Sequence, residues 1–324
     1  MKNETLEENK VSLQQFAEEV RKGLSAHPKY LPSRYFYDAV GDALFQQIMN
    51  MPEYYLTRSE FHVLSGQKEA IARAWAHSSF DLIELGAGDG YKTKVLLRHF
   101  LDKQMDFRYL PIDISANVLQ ILEQSLQEEL PELRMLTIED EYFQALSHLS
   151  NYSERPKLIL FMGSNIGNFT PEEATDFMGQ LSASMRQGDG LLIGFDLKKS
   201  PHQILAAYND AGGITRNFNL NLLKRINREL GGDFALDQFE HFPIYDPELG
   251  AAKSYLVSKQ EQEVYIEALD EAFAFERAES IYTEISQKFS LQDIKTMAER
   301  HGFEVKGQFF DEQRWFVDSL WIKK

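Results

Sequence analysis

The chain has 324 residues, 43% of them hydrophobic, no cysteine and a formal net charge of -16. This length and apolar content suffice for one extended domain or two ordinary ones. The missing cysteines exclude disulfides and thiolate metal sites. The acidic balance disfavours nucleic acid as a partner, because proteins that bind a phosphate backbone usually carry a basic stripe.

Other features of the composition narrow the class further. The eight histidines are scattered without the spacing of metal ligands, so we expect no metal. The sequence shows no signal peptide and no apolar run of membrane-spanning length, which predicts a soluble, cytoplasmic protein without a membrane partner. We expect it to be a monomer.

The first half of the chain predicts an α/β fold. Apolar residues from Leu13 to Leu24 have helical spacing, and Pro28 and Pro32 then indicate an extended segment. Beyond residue 80, apolar strands alternate with helix-like segments, which is typical of a parallel, doubly wound sheet. The predicted strands are Asp81–Leu85, Tyr109–Asp113, Met135–Ile138, Lys157–Met162 and Leu191–Asp196.

A glycine-rich turn follows the first of these strands. Gly86, Gly88 and Gly90 stand at alternate positions, and a helix-like segment begins at Lys92. Glycines at a strand-to-helix turn let the main chain approach a ligand closely, and open α/β sheets bind nucleotides at such turns. A glycine-rich turn without a ligand is the alternative.

The spacing of the glycines distinguishes between cofactors. A dinucleotide fingerprint needs a third glycine where this chain has Tyr91, and the G-K-[ST] sequence of a Walker loop is absent after the turn. The pattern behind the acidic Glu84 instead resembles the first motif of class I S-adenosylmethionine-dependent methyltransferases. That resemblance implies S-adenosyl-L-methionine as the cofactor, bound at Gly86 and Gly88.

Two further strand ends carry candidate cofactor contacts. Asp113 ends the second strand, where a carboxylate can accept from both ribose hydroxyls; alternatively, Asp113 or Ser115 caps the following helix. We expect the segment from Leu136 to Tyr142 to be the third strand, with Asp140 accepting from an adenine amino group and Tyr142 stacking on the ring. A solvated loop is the alternative.

The alternation stops after residue 196. Helices are predicted at Pro201–Tyr208 and Phe218–Leu230, and short strands between residues 242 and 275. A block of this length indicates a second lobe that covers the substrate. A last helix, Leu291–His301, precedes an antiparallel hairpin, Phe303–Gln308 and Arg314–Ile322, that returns to the sheet.

Several unusual strings occur along the chain, at residues 31–45, 51–58, 163–168, 206–211, 218–221, 226–230 and 283–289. Together they resemble the histidine Nα-methyltransferases of ergothioneine biosynthesis, a family that also has fungal members acting on prenylated tryptophan. The resemblance runs from about Val20 to Lys324.

The resemblance implies a class I methyltransferase domain, residues 62–198 and 288–324, and an α+β substrate-binding domain, residues 10–61 and 199–287. It implies Nα-methylation of L-histidine, to the trimethylated betaine hercynine. The alternatives are an N-methyltransferase of another aromatic amino acid, such as tryptophan or a derivative, and a non-catalytic S-adenosylmethionine-binding protein.

The resemblance also carries residue roles where the motifs match. Gly86, Lys92 and Asp113 fall on cofactor positions, with Asp140 a looser match. Ser254 stands where a typical bacterial member has a methionine against the substrate ring, which leaves the ring partner there open. The implied substrate contacts are Tyr37 and Tyr54 at the amino group, Gly163, Asn168 and Tyr208 at the α-amino and carboxylate end, and Glu284 and Ser286 at the imidazole.

Each implied contact also has a structural interpretation. Tyr37 and Tyr54 stand near prolines and suit core or turn packing, and Tyr208 suits a helix core. Asn168 suits a turn or a helix cap. Glu284 and Ser286 are two apart, so in a strand both side chains emerge on one face, which faces either solvent or a pocket.

Overall fold

A computed structural model describes residues 4–114, 116–140 and 142–324, so the capping alternative at Ser115 lies outside the described residues. The described helices are α1 (Glu4–Ser25), α2 (Ala39–Met49), α3 (Leu56–Trp75), α4 (Lys94–Asp102), α5 (Ala116–Glu129), α6 (Tyr142–Tyr152), α7 (Pro171–Ser184), α8 (Pro201–Ala206), α9 (Ile214–Leu230) and α10 (Leu291–Arg300).

The described strands are β1 (Lys29–Tyr30), β2 (Ser79–Leu85), β3 (Asp106–Asp113), β4 (Ile138–Glu139), β5 (Lys157–Phe161), β6 (Gly190–Asp196), β7 (Phe239–Asp246), β8 (Ala251–Ser258), β9 (Gln262–Ile266), β10 (Glu271–Phe275), β11 (Ser280–Gln287), β12 (Phe303–Phe310) and β13 (Phe316–Lys323).

The chain divides into two compact units. Unit 1 comprises the chain up to Tyr55 together with Ser200–Ser286, and unit 2 comprises Leu56–Lys199 and Gln287–Lys324. Each unit has its own hydrophobic core.

Unit 2 is built on a seven-stranded sheet of order β12-β13-β6-β5-β2-β3-β4. Strand β13 pairs antiparallel with both β6 and β12, while the other pairings are parallel. The predicted doubly wound sheet with a final antiparallel hairpin is therefore confirmed. Strands β3 and β4 follow on one side of β2, and strands β5 and β6 on the other, so the strand order reverses at β2. The turn after β2 therefore lies where such sheets bind ligands.

The two faces of this sheet are covered because side chains alternate along each strand. Leu82 packs with residues of α3, α4 and α5, whereas Ile83 packs with residues of α6, α7 and α10. Both side chains are fully buried. This two-sided burial explains why every residue of β2 after Ser79 is buried, rather than every second one.

The third predicted strand differs from the structure. Strand β4 contains only Ile138 and Glu139, and Met135 makes an isolated bridge to Tyr109. Tyr142, expected to end the strand, is instead the first residue of α6. Strand β4 lies at the edge of the sheet and pairs on one side only, so few of its residues are held in the ladder.

Unit 1 contains a four-stranded sheet of order β1-β11-β8-β7 and a separate pair of strands, β9 and β10. Helix α9 contributes Phe218, Leu222 and Ile226 to a core shared with Leu256 of β8 and Ile281 of β11. A helix able to cross a bilayer, which needs roughly 20 mostly apolar residues, is absent from the described part of the chain.

Candidate functional site

The turn after β2 has the backbone geometry that its glycines predict. Gly86 and Gly88 have φ angles of +73° and +54°, in the left-handed region. A Cβ on Gly86 would lie 2.7 Å from the Tyr142 hydroxyl, whereas a Cβ on Gly88 would meet nothing within 4 Å. Conformation and space therefore both require glycine at position 86, while conformation alone favours it at position 88.

Four predicted cofactor residues lie together at the carboxyl ends of β2, β3 and β4. The Gly86 N–H donates to the carbonyl of Ile112 at 2.9 Å, and the Asp140 N–H donates to the carbonyl of Asp113 at 3.3 Å. Burial raises the pKa of Tyr142 to about 12, with the nearby Asp113 carboxylate adding to the effect. The Tyr142 phenol therefore stays protonated between the glycine turn and Asp113.

Glu84 supports this turn from inside the sheet. Its side chain is buried and accepts hydrogen bonds from the hydroxyls of Thr93 and Tyr109. Burial raises the pKa of Glu84 from 4.5 to about 7, although both hydroxyls and the Lys92 ammonium oppose the rise. A carboxyl with this pKa is partly protonated near neutral pH.

This raised pKa predicts a pH dependence of stability. Between the unfolded value of 4.5 and about 7, the folded state binds more protons at Glu84 than the unfolded state. The free energy of unfolding should therefore fall as the pH rises through that window, by about 3 kcal/mol in total. Denaturant unfolding of the wild type and of Glu84→Gln checks this, because the glutamine variant should lack that part of the slope; equal slopes would contradict it.

Lys92 and Gly163 come together in unit 2 around a residue that the sequence analysis did not single out. Glu60, on α3, is fully buried. One of its carboxylate oxygens accepts the Gly163 N–H at 2.6 Å, and the other pairs with Lys92 Nζ. Burial lowers the pKa of Lys92, but the Glu60 carboxylate outweighs it and the net shift is upward. Asn168 lies in the same loop after β5, exposed at the end of a short 3-10 helix.

The sequence does contain a signal for Glu60. The buried side chains of α3 include Leu56, Val63 and Leu64, and Glu60 falls on the same helical stripe. An acid on the apolar stripe of a helix costs free energy unless it is paired. It therefore indicates a partner elsewhere in the chain.

Tyr37 and Tyr54 both contact one aromatic residue in unit 1, Phe45. The Tyr37 ring is 5.7 Å from the Phe45 ring and 5.8 Å from the Phe218 ring, both edge to face. The Tyr54 ring is 6.3 Å from the Phe45 ring. Tyr37 is 45% exposed. Its ring is thus anchored on one side and accessible on the other.

Asp38 fixes the segment that carries Tyr37. Its carboxylate accepts from the Gly41 N–H at 2.7 Å, from Asn221 Nδ2 at 2.8 Å and from the Arg228 guanidinium at 2.6 Å. Burial raises the pKa of Asp38, but these hydrogen bonds outweigh it and hold the pKa below its usual range. The Asn221 and Arg228 positions of the family strings therefore have a structural role, which is to attach the Tyr37 segment to α9.

Tyr208 and Ser286 are in direct contact in unit 1. The Tyr208 hydroxyl donates to Ser286 Oγ at 2.7 Å, and both side chains are buried. Glu284 is half-buried on the same strand, β11, two residues before Ser286. His241 Nε2 lies 3.1 Å from the Tyr208 carbonyl oxygen and holds the backbone there.

Ser254 does not lie beside Glu284. Buried and half-buried residues alternate along β8, and Ser254 is 1% exposed. The Thr283 hydroxyl lies 3.0 Å from the Ser254 carbonyl, whereas Tyr255 contacts Tyr282 at 5.7 Å between ring centroids. Because Glu284 shares the strand face of Tyr282, Ser254 lies on the opposite face of the sheet from Glu284.

The residues at the turn of unit 2 fit a cofactor that has no phosphate. A backbone that can be approached closely at Gly88, an acid at the end of β3 and a neutral phenol beside them suit a ribose and an amino-acid end. No group of three or more metal-ligating side chains occurs within residues 4–114, 116–140 and 142–324.

Comparison with known proteins agrees with this arrangement. Histidine N-alpha-methyltransferase of Mycolicibacterium smegmatis is 38% identical over 277 residues, covering 85% of each chain. The protein of the same name from Mycobacterium tuberculosis is 35% identical over 301 residues, covering 93% of this chain and 90% of that one. Ergothioneine biosynthesis protein 1 of Schizosaccharomyces pombe is 30% identical over 294 residues, covering 86% of this chain and 37% of that one.

The family profile described as "Histidine-specific methyltransferase, SAM-dependent" matches residues 16–323, nearly the whole chain. This match spans both units, and it agrees with the glycine turn and with the acid that ends β3. The chain belongs to the family of histidine-specific, S-adenosylmethionine-dependent methyltransferases.

Proposed function

We propose that the protein methylates the α-amino group of L-histidine three times and so forms the betaine hercynine. The observation that carries the choice of substrate is the pairing on β11: Ser286 accepts a hydrogen bond from Tyr208, and Glu284 stands two residues before it. The family membership and the two mycobacterial relatives support the same substrate.

The pair on β11 suits a neutral imidazole. The Glu284 carboxylate accepts from the ring N–H. The Ser286 hydroxyl accepts a hydrogen bond from Tyr208 and can therefore donate its own hydrogen to the other ring nitrogen. An indole has one N–H and no acceptor nitrogen. Tryptophan would therefore leave the serine donor unmatched, which costs affinity.

Other residues take the remaining tasks in this proposal. In unit 2, Gly86, Gly88, Lys92, Asp113, Asp140 and Tyr142 hold S-adenosyl-L-methionine. When bound, this cofactor supplies a sulfonium methyl group that the amine lone pair displaces, with neutral S-adenosylhomocysteine leaving. Gly163, Asn168 and Tyr208 bind the zwitterionic end of the amino acid and orient the amine, which is chiefly a gain from proximity.

Tyr37 and Tyr54 act on the amino group itself. Their hydroxyls orient an amine that still has N–H donors, and their aromatic faces favour the quaternary ammonium that forms last, by cation–π attraction. Tyr37 relays the proton that the amine must lose before it can attack. Because Tyr37 is 45% exposed, it can pass this proton on to water.

A substrate panel tests the proposal. We expect kcat/KM for histidine to exceed that for tryptophan by at least about 100-fold, because a ring that cannot bond to both Glu284 and Ser286 leaves one of them unpaired. Nα-methylhistidine and Nα,Nα-dimethylhistidine should also be substrates. Equal or faster methylation of tryptophan would contradict the assignment, and cofactor binding without methylation of any amine would indicate a non-catalytic protein.

Tyr37→Phe tests the proton relay. The phenylalanine ring can keep the contacts with Phe45 and Phe218, so only the hydroxyl is lost. We expect kcat to fall by about 10- to 100-fold, with S-adenosylhomocysteine affinity unchanged in calorimetry. Tyr35→Phe is the matched control, because the Tyr35 hydroxyl bonds to Glu19 at 3.0 Å and has no proposed catalytic part. An unchanged kcat in Tyr37→Phe would remove Tyr37 from the proton path.

A further inference from the structure

Glu60 contacts two residues to which the proposed function gives different tasks. Lys92 is assigned to the cofactor and Gly163 to the amino acid, and one carboxylate reaches both. Lys92 Nζ also lies 3.6 Å from the position that a Cβ on Gly163 would take. The two residues are 71 positions apart in the sequence, yet one buried side chain fixes their positions.

The surroundings of Glu60 are shaped to hold its carboxylate. A Cβ on Gly194, in β6, would collide with Glu60 Oε1, so that strand has glycine where the carboxylate needs space. The Lys92 side chain is 22% exposed, while Glu60 is fully buried. The Lys92 side chain is therefore partly accessible, and the buried Glu60 carboxylate holds its ammonium group in place.

A second buried acid lies close to this pair. Asp318, on β13, pairs in register with Gly194, and neither of its carboxylate oxygens has a hydrogen-bond partner among the described residues. Burial, with the Glu60 charge adding to it, raises the pKa of Asp318 well above its usual range. Of the two buried acids, Glu60 is the one that pairs directly with Lys92, whereas the Asp318 oxygens make no hydrogen bond among the described residues.

We propose that Glu60 is a positioning residue that holds Lys92 for the cofactor and the Gly163 N–H for the amino-acid loop. The inference rests on the proposed function for the tasks of Lys92 and Gly163. Glu60 itself is buried behind both residues and acts through them. One Glu60 oxygen contacts the Gly163 N–H and the other contacts Lys92, so the effect on the amino-acid loop and the effect on the cofactor can be tested separately.

Two isosteric variants of the full chain distinguish the effect on cofactor affinity from the effect on the KM for histidine. Glu60→Gln keeps an acceptor for the Gly163 N–H but loses the charge that pairs with Lys92, whereas Glu60→Met loses both. S-adenosylhomocysteine affinity, measured by calorimetry, should fall by about tenfold in both variants. The KM for histidine at saturating cofactor should stay near the wild-type value in Glu60→Gln and rise by about tenfold in Glu60→Met.

A double-mutant cycle with Lys92→Met provides the control for a merely structural effect. If Glu60 acts through Lys92, Glu60→Gln should change S-adenosylhomocysteine affinity by less than about twofold once Lys92 is methionine. Equal losses in both backgrounds would overturn the proposal. Asp318→Asn is the matched control for a neighbouring buried acid, and a loss of affinity as large as that of Glu60→Gln would also overturn it.

A further variant keeps the proposal testable if the neutral variants do not fold. Glu60→Asp keeps the buried charge on a shorter side chain that reaches only one partner. Either cofactor affinity or histidine KM should then change by about tenfold, and no change in either would overturn the proposal. If coupling to Lys92 is found but no amino acid is methylated, the positioning of Lys92 stands and the proposed function fails.

Discussion

Gly86→Ala is expected to weaken S-adenosylhomocysteine binding by about 10- to 100-fold. The left-handed backbone at φ +73° costs a residue with a side chain about 1–2 kcal/mol. The new methyl group would also lie 2.7 Å from the Tyr142 hydroxyl, so the tyrosine must shift away from the turn. About 1.4 kcal/mol corresponds to tenfold in affinity, so both effects together account for the expected loss.

A rescue variant separates the two causes. Tyr142→Phe removes the hydroxyl that the new methyl group would meet, so Gly86→Ala combined with Tyr142→Phe should bind more tightly than Gly86→Ala alone. Gly179→Ala is the control, because Gly179 lies in α7 with nothing within 4 Å of its Cβ position. Wild-type affinity in Gly86→Ala would contradict the placement of the cofactor at this turn.

Glu284→Ala should lower kcat/KM for histidine by about 100-fold, because a site built to accept a ring N–H loses its acceptor. The same change should affect tryptophan less, because an indole that leaves the Ser286 donor unmatched is already held poorly and has less affinity to lose at Glu284. The histidine-to-tryptophan ratio of kcat/KM, taken from competition between the two amino acids, is the measurement.

A second acid in a strand of unit 1 provides the control. Glu263, on β9, is exposed and has no assigned role, so Glu263→Ala should leave the ratio unchanged. If Glu284→Ala reduces both substrates equally, Glu284 does not select the ring. The family membership would stand, and the choice of substrate would have to be sought elsewhere on the sheet of unit 1.

The sheet of unit 2 was predictable because its central strands are short apolar runs that end in recognisable polar residues. Strands β2 and β3 illustrate this, since the glycine turn and Asp113 mark their carboxyl ends. Strand β4 was not predictable in extent. Its two residues pair on one side only, and Tyr142 beyond it starts a helix, although the segment contains the β-branched residues that a strand favours.

The candidate site residues were also predictable only in part. The family strings contain Tyr37 and Glu284, but the contacts that fix such residues are long-range and leave little local signal. Asp38 reaches Arg228 across 190 positions, and Glu60 reaches Gly163 across 103. The sequence shows that an acid lies on the apolar stripe of a helix. Only the fold shows which partners offset the cost of burying its carboxylate. The orientation of Ser254 likewise depends on the strand's register and on which face of the sheet is covered.

The most direct test of the central claim is mass spectrometry, with fragmentation that locates the methyl groups, of the product formed when the purified protein is incubated with S-adenosylmethionine and the twenty amino acids in competition. We predict a gain of three methyl groups on histidine alone, all on the α-nitrogen. Methylation of a different amino acid, or of the imidazole nitrogen, would contradict the proposed roles of Glu284, Ser286 and Tyr37.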